Sequence, residues 1–142
     1  MDPSKRCMAL PPDSPGSFEA RNRLVQGWMS KADVLRALSI GEPTLEQWRI
    51  NRLILSVWDV PSGEYFYPPF QFFEGRVIPA VASIMSWLEP YSNGSGWGEV
   101  EWWLSPHSLL DGKSPADIFQ VEPARVLMIA EQEFSEGPDA FW

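Results

Sequence analysis

Apolar positions first recur with a helical period in "SKADVLRAL", where Val34, Leu35 and Leu38 fall on one face. Ser30 stands where an N-cap belongs, and Asp33 at the third helical position completes a variant of the capping box. After a turn around Gly41, Pro43 suits the first turn of a second helix, whose Leu45, Trp48 and Leu53 are spaced to face the first. The period then changes from helical to alternating. "LILSVWDV" and "EYFYPPF", rich in β-branched and aromatic residues, flank the turn cluster "PSG" and predict a β-hairpin. Helical spacing returns in "IPAVASIMSWLEP", where Ile78, Val81, Ile84, Met85 and Leu88 form one stripe between Pro79 and Pro90.

Beyond that stripe, "NGSGWG" reads as a connector and "WGEVEWWL" as a short helix. In "LSPHSLLDGKSPADIF", Ser105-Pro106 and Ser114-Pro115 each repeat a Ser-cap, Pro-start pattern, and Gly112 suits a left-handed stop between them. Trp103 and Leu104 are expected inside, packed against Leu110, Ile118 and Phe119, with Trp102 the more exposed neighbour. Pro123 then opens "PARVLMIAEQEF", with Val126, Ile129 and Ala130 on its apolar side and Glu131 and Glu133 in water. The expected fold class is mainly α. Residues 1–17, rich in Pro and without apolar periodicity, read as a flexible arm; 18–73 as a helix-turn-helix with a small β-hairpin; 74–142 as a compact helical domain.

Composition narrows the function classes. A chain of 142 residues with eight tryptophans buries enough surface to fold without metals or disulfides. Cys7 is the single cysteine, so no disulfide forms within the chain, and no apolar run approaches the roughly 18 residues a membrane span needs. The N-terminal segment lacks the apolar stretch of a signal peptide, and the cytoplasm is the expected location. The net charge of −8 is unevenly spread. Residues 21–52 hold Arg21, Arg23, Lys31, Arg36, Arg49 and Arg52 against Asp33, Glu42 and Glu46, whereas residues 53–142 are strongly acidic. That balance disfavours indiscriminate nucleic-acid binding but leaves room for a local basic patch.

Catalytic patterns are weak. His107, the one histidine, has Ser105, Ser108 and Asp111 beside it, but residues so close along a chain seldom converge as nucleophile, base and orienting group. Glu99 and Glu101, two apart on a helix, point in different directions and make a poor acid/base pair. "GSGWG" follows a helix and lacks the lysine of a phosphate loop, and one His with one distant Cys is too little for a metal cluster. No enzyme, cofactor or metal is expected.

The run from "YPPFQF" to "WWLSPHSLLDGKSPADIF" resembles the toxin-binding domain of the Xre/MbcA/ParS-like antitoxins, over about half the chain. Members of that family show a Tyr-Pro-x-Phe-Gln-Phe segment and, later, Trp-Leu-x-x-Pro-Asn-x-x-Leu-x-Gly-x-x-Pro-x-Asp. Trp103, Leu104, Pro106, Leu109 or Leu110, Gly112, Pro115 and Asp117 fill the second pattern, with His107 where Asn is usual. Thr44, Leu45 and Trp48 are similar to the family's recognition-helix pattern, although Ser39 replaces the usual turn glycine and Glu42 and Glu46 add negative charge.

The resemblance implies an antitoxin that binds and neutralises a cognate protein toxin, commonly a RES-type enzyme that consumes NAD, and that also binds its own operator. It implies a homodimer as well. Thr44 and Gln47 are then the candidates for base edges, and Lys31, Arg36, Arg49 and Arg52 those for phosphates. The candidates for toxin contact are Trp102, His107, Lys113, Glu131, Glu133, Phe134, Phe141 and Trp142; the C-terminal ones combine charge for steering with aromatics for anchoring. Two other classes stay open: a stand-alone helix-turn-helix regulator, and an adaptor or immunity protein that has lost DNA binding.

Overall fold

The computed structural model describes residues 18–92 and 94–135, so the arm expected over 1–17 and the terminal aromatics Phe141 and Trp142 lie outside the described residues. The described chain is mainly helical, with two small antiparallel sheets of two strands each. Helix α1 (Phe18–Gln26) was not foreshadowed by periodicity, because only Ala20 and Val25 along it are buried. Helix α2 (Lys31–Leu38) starts on the expected box: Ser30 Oγ accepts from the Asp33 N–H at 3.2 Å, and Asp33 Oδ2 accepts from the Ser30 N–H at 3.1 Å. It stops at Ser39, whose φ of 55° ends the helix without a glycine. Helix α3 (Glu42–Ile50) follows Gly41 as its N-cap, with Pro in its first turn.

Val34 and Leu45 meet Ile54, Tyr67 and Phe72 in a small core between these two helices and the chain that follows. Leu53, expected to face α2, is 40% exposed, and Ile54 packs there instead. The cause is Arg52, whose φ of 59° breaks the helical phase one residue earlier. The hairpin is present and shorter than its flanking apolar runs: β1 (Val57–Asp59) pairs with β2 (Glu64–Phe66), Trp58 opposite Tyr65. Buried Asp59 closes its turn by accepting from the N–H and Oγ–H of Ser62 at 3.2 and 2.6 Å. A second hairpin, β3 (Phe72–Phe73) with β4 (Arg76–Val77), turns on Glu74 and Gly75, both at positive φ.

Buried Gln71 does the work of a neighbouring strand. Its Oε1 accepts from the Leu55 N–H, and its Nε2 donates to the Leu55 carbonyl, both at 2.7 Å. A buried backbone segment that would otherwise lack partners is thereby satisfied.

The larger core joins α4 (Ala80–Leu88), α5 (Trp97–Leu104), α6 (Pro115–Ile118) and α7 (Pro123–Ser135), with α4 against α7 as its main helix pair. The stripe from Ile78 to Leu88 is buried as its spacing predicts, as are Val126, Ile129 and Ala130. Trp103 is fully buried, its ring 4.8 Å from Phe119 and 5.1 Å from Phe70. Burial of one such indole stabilises the fold by on the order of 4 kcal/mol. Val25, Leu55 and Val57 belong to this core too, so the hydrophobic clusters do not divide at residues 73 and 74.

The connection from α5 to α6 departs from expectation in one respect. Ser105 does not cap a helix start; it ends α5, and its Oγ–H donates to the Glu101 carbonyl at 2.5 Å. His107 takes the capping role, its Nδ1 accepting from the Leu109 N–H at 3.2 Å. Ser114 and Asp117 form the second capping box, and Asp111 and Gly112 both turn left-handed ahead of it. No helix among the described residues is long and apolar enough to cross a membrane.

Candidate partner-binding groove

The C-terminal end of α5, the turn after it and the last turns of α7 enclose a groove of about 480 Å³. Residues 102 and 103 are adjacent on a helix, about 100° apart, so burying Trp103 leaves Trp102 on the flank facing α7. Trp102 Nε1–H donates to Glu133 Oε1 at 2.9 Å, and its ring lies 6.0 Å from Phe134. His107 Nε2 lies 3.4 Å from the same Glu133 oxygen. Because His107 Nδ1 accepts the capping hydrogen bond, the neutral ring carries its proton on Nε2, the atom that faces Glu133. One carboxylate oxygen thus accepts from an indole and lies within ion-pair distance of an imidazole.

Four of the expected contact residues, Trp102, His107, Glu133 and Phe134, therefore converge in one place, although 31 positions separate Trp102 from Glu133. Lys113 and Glu131 are exposed and do not line the groove. Glu99, Glu101 and Pro106 do line it and were missed as binding residues. By its spacing from Glu101, Glu99 reads only as a poor acid/base partner; the signal for more is a carboxylate set among Trp97, Val100 and Trp103, all of which are buried. Glu99 itself is 2% exposed: Oε2 meets Arg52 Nη1 at 3.0 Å, and Oε1 has no hydrogen-bond partner among the described residues. Glu99 is spent on Arg52, so the carboxylates that give the groove its negative charge are those of Glu101 and Glu133, and with an indole and a phenyl ring beside them they suit a cationic or amphipathic side chain. Among the described residues, no group of three or more His, Cys, Asp and Glu is placed to hold a metal.

The residues expected to meet DNA are distributed differently. Thr44 and Gln47 are exposed on α3. All four cations are engaged by carboxylates of the same chain: Lys31 with Glu42 at 2.7 Å, Arg36 with Asp33 at 2.8 Å, Arg49 with Glu46, and Arg52 with Glu99. Arg52 Nη2 also donates to the Met85 carbonyl at 3.0 Å, and the Arg49 guanidinium lies 4.1 Å from the centre of the Tyr65 ring. The hydrogen bond and charge of Glu42 raise the Lys31 pKa, and hydrogen bonds from the backbone and side chain of Ser30 lower that of Asp33.

No protein-family model matches the chain, and comparison with curated proteins returned no match. Among solved structures the fold is similar to that in the NMR structure of Rv2175c, with a TM-score of 0.63 over 75% of this chain and 80% of that one. At 17% sequence identity, that likeness shows a shared fold alone.

Proposed function

We propose that this protein is an antitoxin, a binding protein that docks on a cognate toxin through the groove between α5 and α7 and silences it. The observation that carries the reading is the convergence of Trp102, His107, Glu133 and Phe134 beside the exposed carboxylate of Glu101. Acidic walls suit a toxin whose own substrate is anionic, because a cleft that binds phosphates is lined by cations. A RES-type enzyme consuming NAD meets that requirement, and the resemblance of the "YPPFQF" and "WWLSPHSLLDGKSPADIF" segments to the Xre/MbcA/ParS-like antitoxins supports it.

Operator binding is the secondary reading. In it α2 and α3 form a helix-turn-helix with the β1–β2 hairpin as a wing, and the exposure of Thr44 and Gln47 on α3 supports it. Each cation would have to exchange an internal carboxylate for a phosphate, which reduces the gain from every contact.

The test is co-expression of the full chain with proteins encoded beside it, followed by light scattering, which also reports whether the complex is built on a homodimer. Trp102→Ala and Glu133→Lys should weaken a toxin complex by roughly 30-fold each, as truncation of an interface anchor costs about 2 kcal/mol. Glu131→Lys, outside the groove, should bind as the parent does. Unimpaired neutralisation by both groove variants would refute the docking site. Salt-sensitive binding to promoter DNA without any toxin complex would transfer the function to transcriptional regulation.

A further inference from the structure

A second pocket, of about 400 Å³, lies between α3 and the outer face of the β1–β2 hairpin. Its walls are Lys31, Glu46, Trp58, Glu64, Tyr65 and Tyr67. Trp58 and Tyr65 are direct cross-strand partners, so their side chains share one face, with ring centroids 4.9 Å apart at 66°. Tyr67 is fully buried, yet its hydroxyl has no partner among the described residues. Burial pushes the Tyr67 pKa up to about 12, and the charge of Glu46 adds to the shift, so the hydroxyl stays neutral beside a negative wall.

The charges favour a cation here. Glu42, Glu46 and Glu64 surround Lys31, whose amine is drawn to Glu42, and Arg49 is held on Glu46. Glu64 appears in no salt bridge with the described residues, and three carboxylates against two cations leave the surface net negative. Tyr65 already takes one guanidinium over its ring, that of Arg49.

We infer that the pocket receives a lysine or arginine side chain of a protein partner, its stem against Trp58 and Tyr65 and its head between Glu46 and Glu64, donating to the Tyr67 hydroxyl oxygen. This site stands independently of the groove between α5 and α7. A partner that reached both would be selected for two basic side chains held at a fixed separation.

The test titrates the full ¹⁵N-labelled chain with Nα-acetyl-lysine methylamide, Nα-acetyl-arginine methylamide and the neutral Nα-acetyl-norleucine methylamide. The readout is the indole N–H resonance of Trp58, assigned with Trp58→Phe. Expected is a saturable shift with one or both cations, at a Kd on the order of millimolar, and none with norleucine. Glu64→Gln should weaken it about fivefold, and Glu64→Lys should abolish it. Glu64 is exposed, so both variants should keep the fold, checked by unchanged indole resonances of Trp97 and Trp103. No saturable shift, an equal shift with norleucine, or insensitivity to Glu64 would overturn the inference. So would a DNA duplex that perturbs Trp58 and binds more tightly to Glu64→Lys. Trp102→Ala, which damages only the groove, should leave the titration unchanged, so failure of one site is told apart from failure of the other.

Discussion

Consider removing Arg52 from its pair with Glu99. Glu99 is 2% exposed, and its salt bridge to Arg52 Nη1 spans 3.0 Å. Two charges about 4 Å apart attract by about 4 kcal/mol at an effective dielectric constant of about 20, and much of that offsets the cost of dehydrating the carboxylate. Arg52→Met leaves the buried carboxyl group of Glu99 without its counter-ion, which should cost about 3 kcal/mol, the lower end of the range for a broken buried pair. Glu99→Gln should cost less, about 1–2 kcal/mol, because the Arg52 side chain is 29% exposed and can still reach water. The double change Arg52→Met with Glu99→Leu removes both charges and should return to within about 1 kcal/mol of the parent. Urea unfolding followed by tryptophan fluorescence reads these differences as midpoint shifts at constant slope, and the parent, Arg52→Met, Glu99→Leu and the double variant form a double-mutant cycle. If Arg52→Met costs less than Glu99→Gln, or if the effects of Arg52→Met and Glu99→Leu simply add in the double variant, Arg52 is not the counter-ion that keeps a carboxylate in this core.

Two other perturbations follow from the backbone and from Tyr67. Gly96 has φ 89°, and a Cβ there would lie 1.8 Å from the Ser56 carbonyl oxygen, whereas at Gly94, φ 87°, it would meet open space. Thermal unfolding of Gly96→Ala should show a loss of more than about 3 kcal/mol, while Gly94→Ala should lose only about 1 kcal/mol of backbone strain. The Tyr67 pKa is raised from 10.0 to about 12, so the folded state holds its proton where the unfolded state releases it. Stability is therefore complete below about pH 10 and falls as pH rises toward about 12, by on the order of 3 kcal/mol, in urea titrations across that range. In Tyr67→Phe this fall should be reduced by about that amount; an unchanged profile would mean that Tyr67 is not the group responsible.

Much of the local structure was legible in the sequence because it rests on local chemistry. Both Ser-x-x-Asp capping boxes form, the hairpin turns at its Pro-Ser-Gly cluster, and the helical stripe from Ile78 to Leu88 is buried. Each of these signals lies within about a dozen neighbouring residues. The second hairpin was missed because its strands are two residues long and its main mark is Gly75. Helix α1 was missed because it contributes two buried side chains and depends on tertiary contacts.

The candidate sites divide in the same way. That Trp102, Glu133 and Phe134 were worth attention could be read from aromatics set among carboxylates; that they share one groove with His107 follows from how α7 lies against the end of α5. Charge counting marked Lys31, Arg36, Arg49 and Arg52 as a basic patch, because a tally along the chain does not show which carboxylates fold back on them. For Lys31, Arg36 and Arg49 the partners are near in sequence, but Arg52 finds Glu99 from 47 positions away. Periodicity and capping determined most of the elements, though not α1 or the second hairpin. Only the packing of distant segments decided which charges are already satisfied and which face a partner, because electrostatic energy depends on separation and burial in space, and neither is a property of position along the chain.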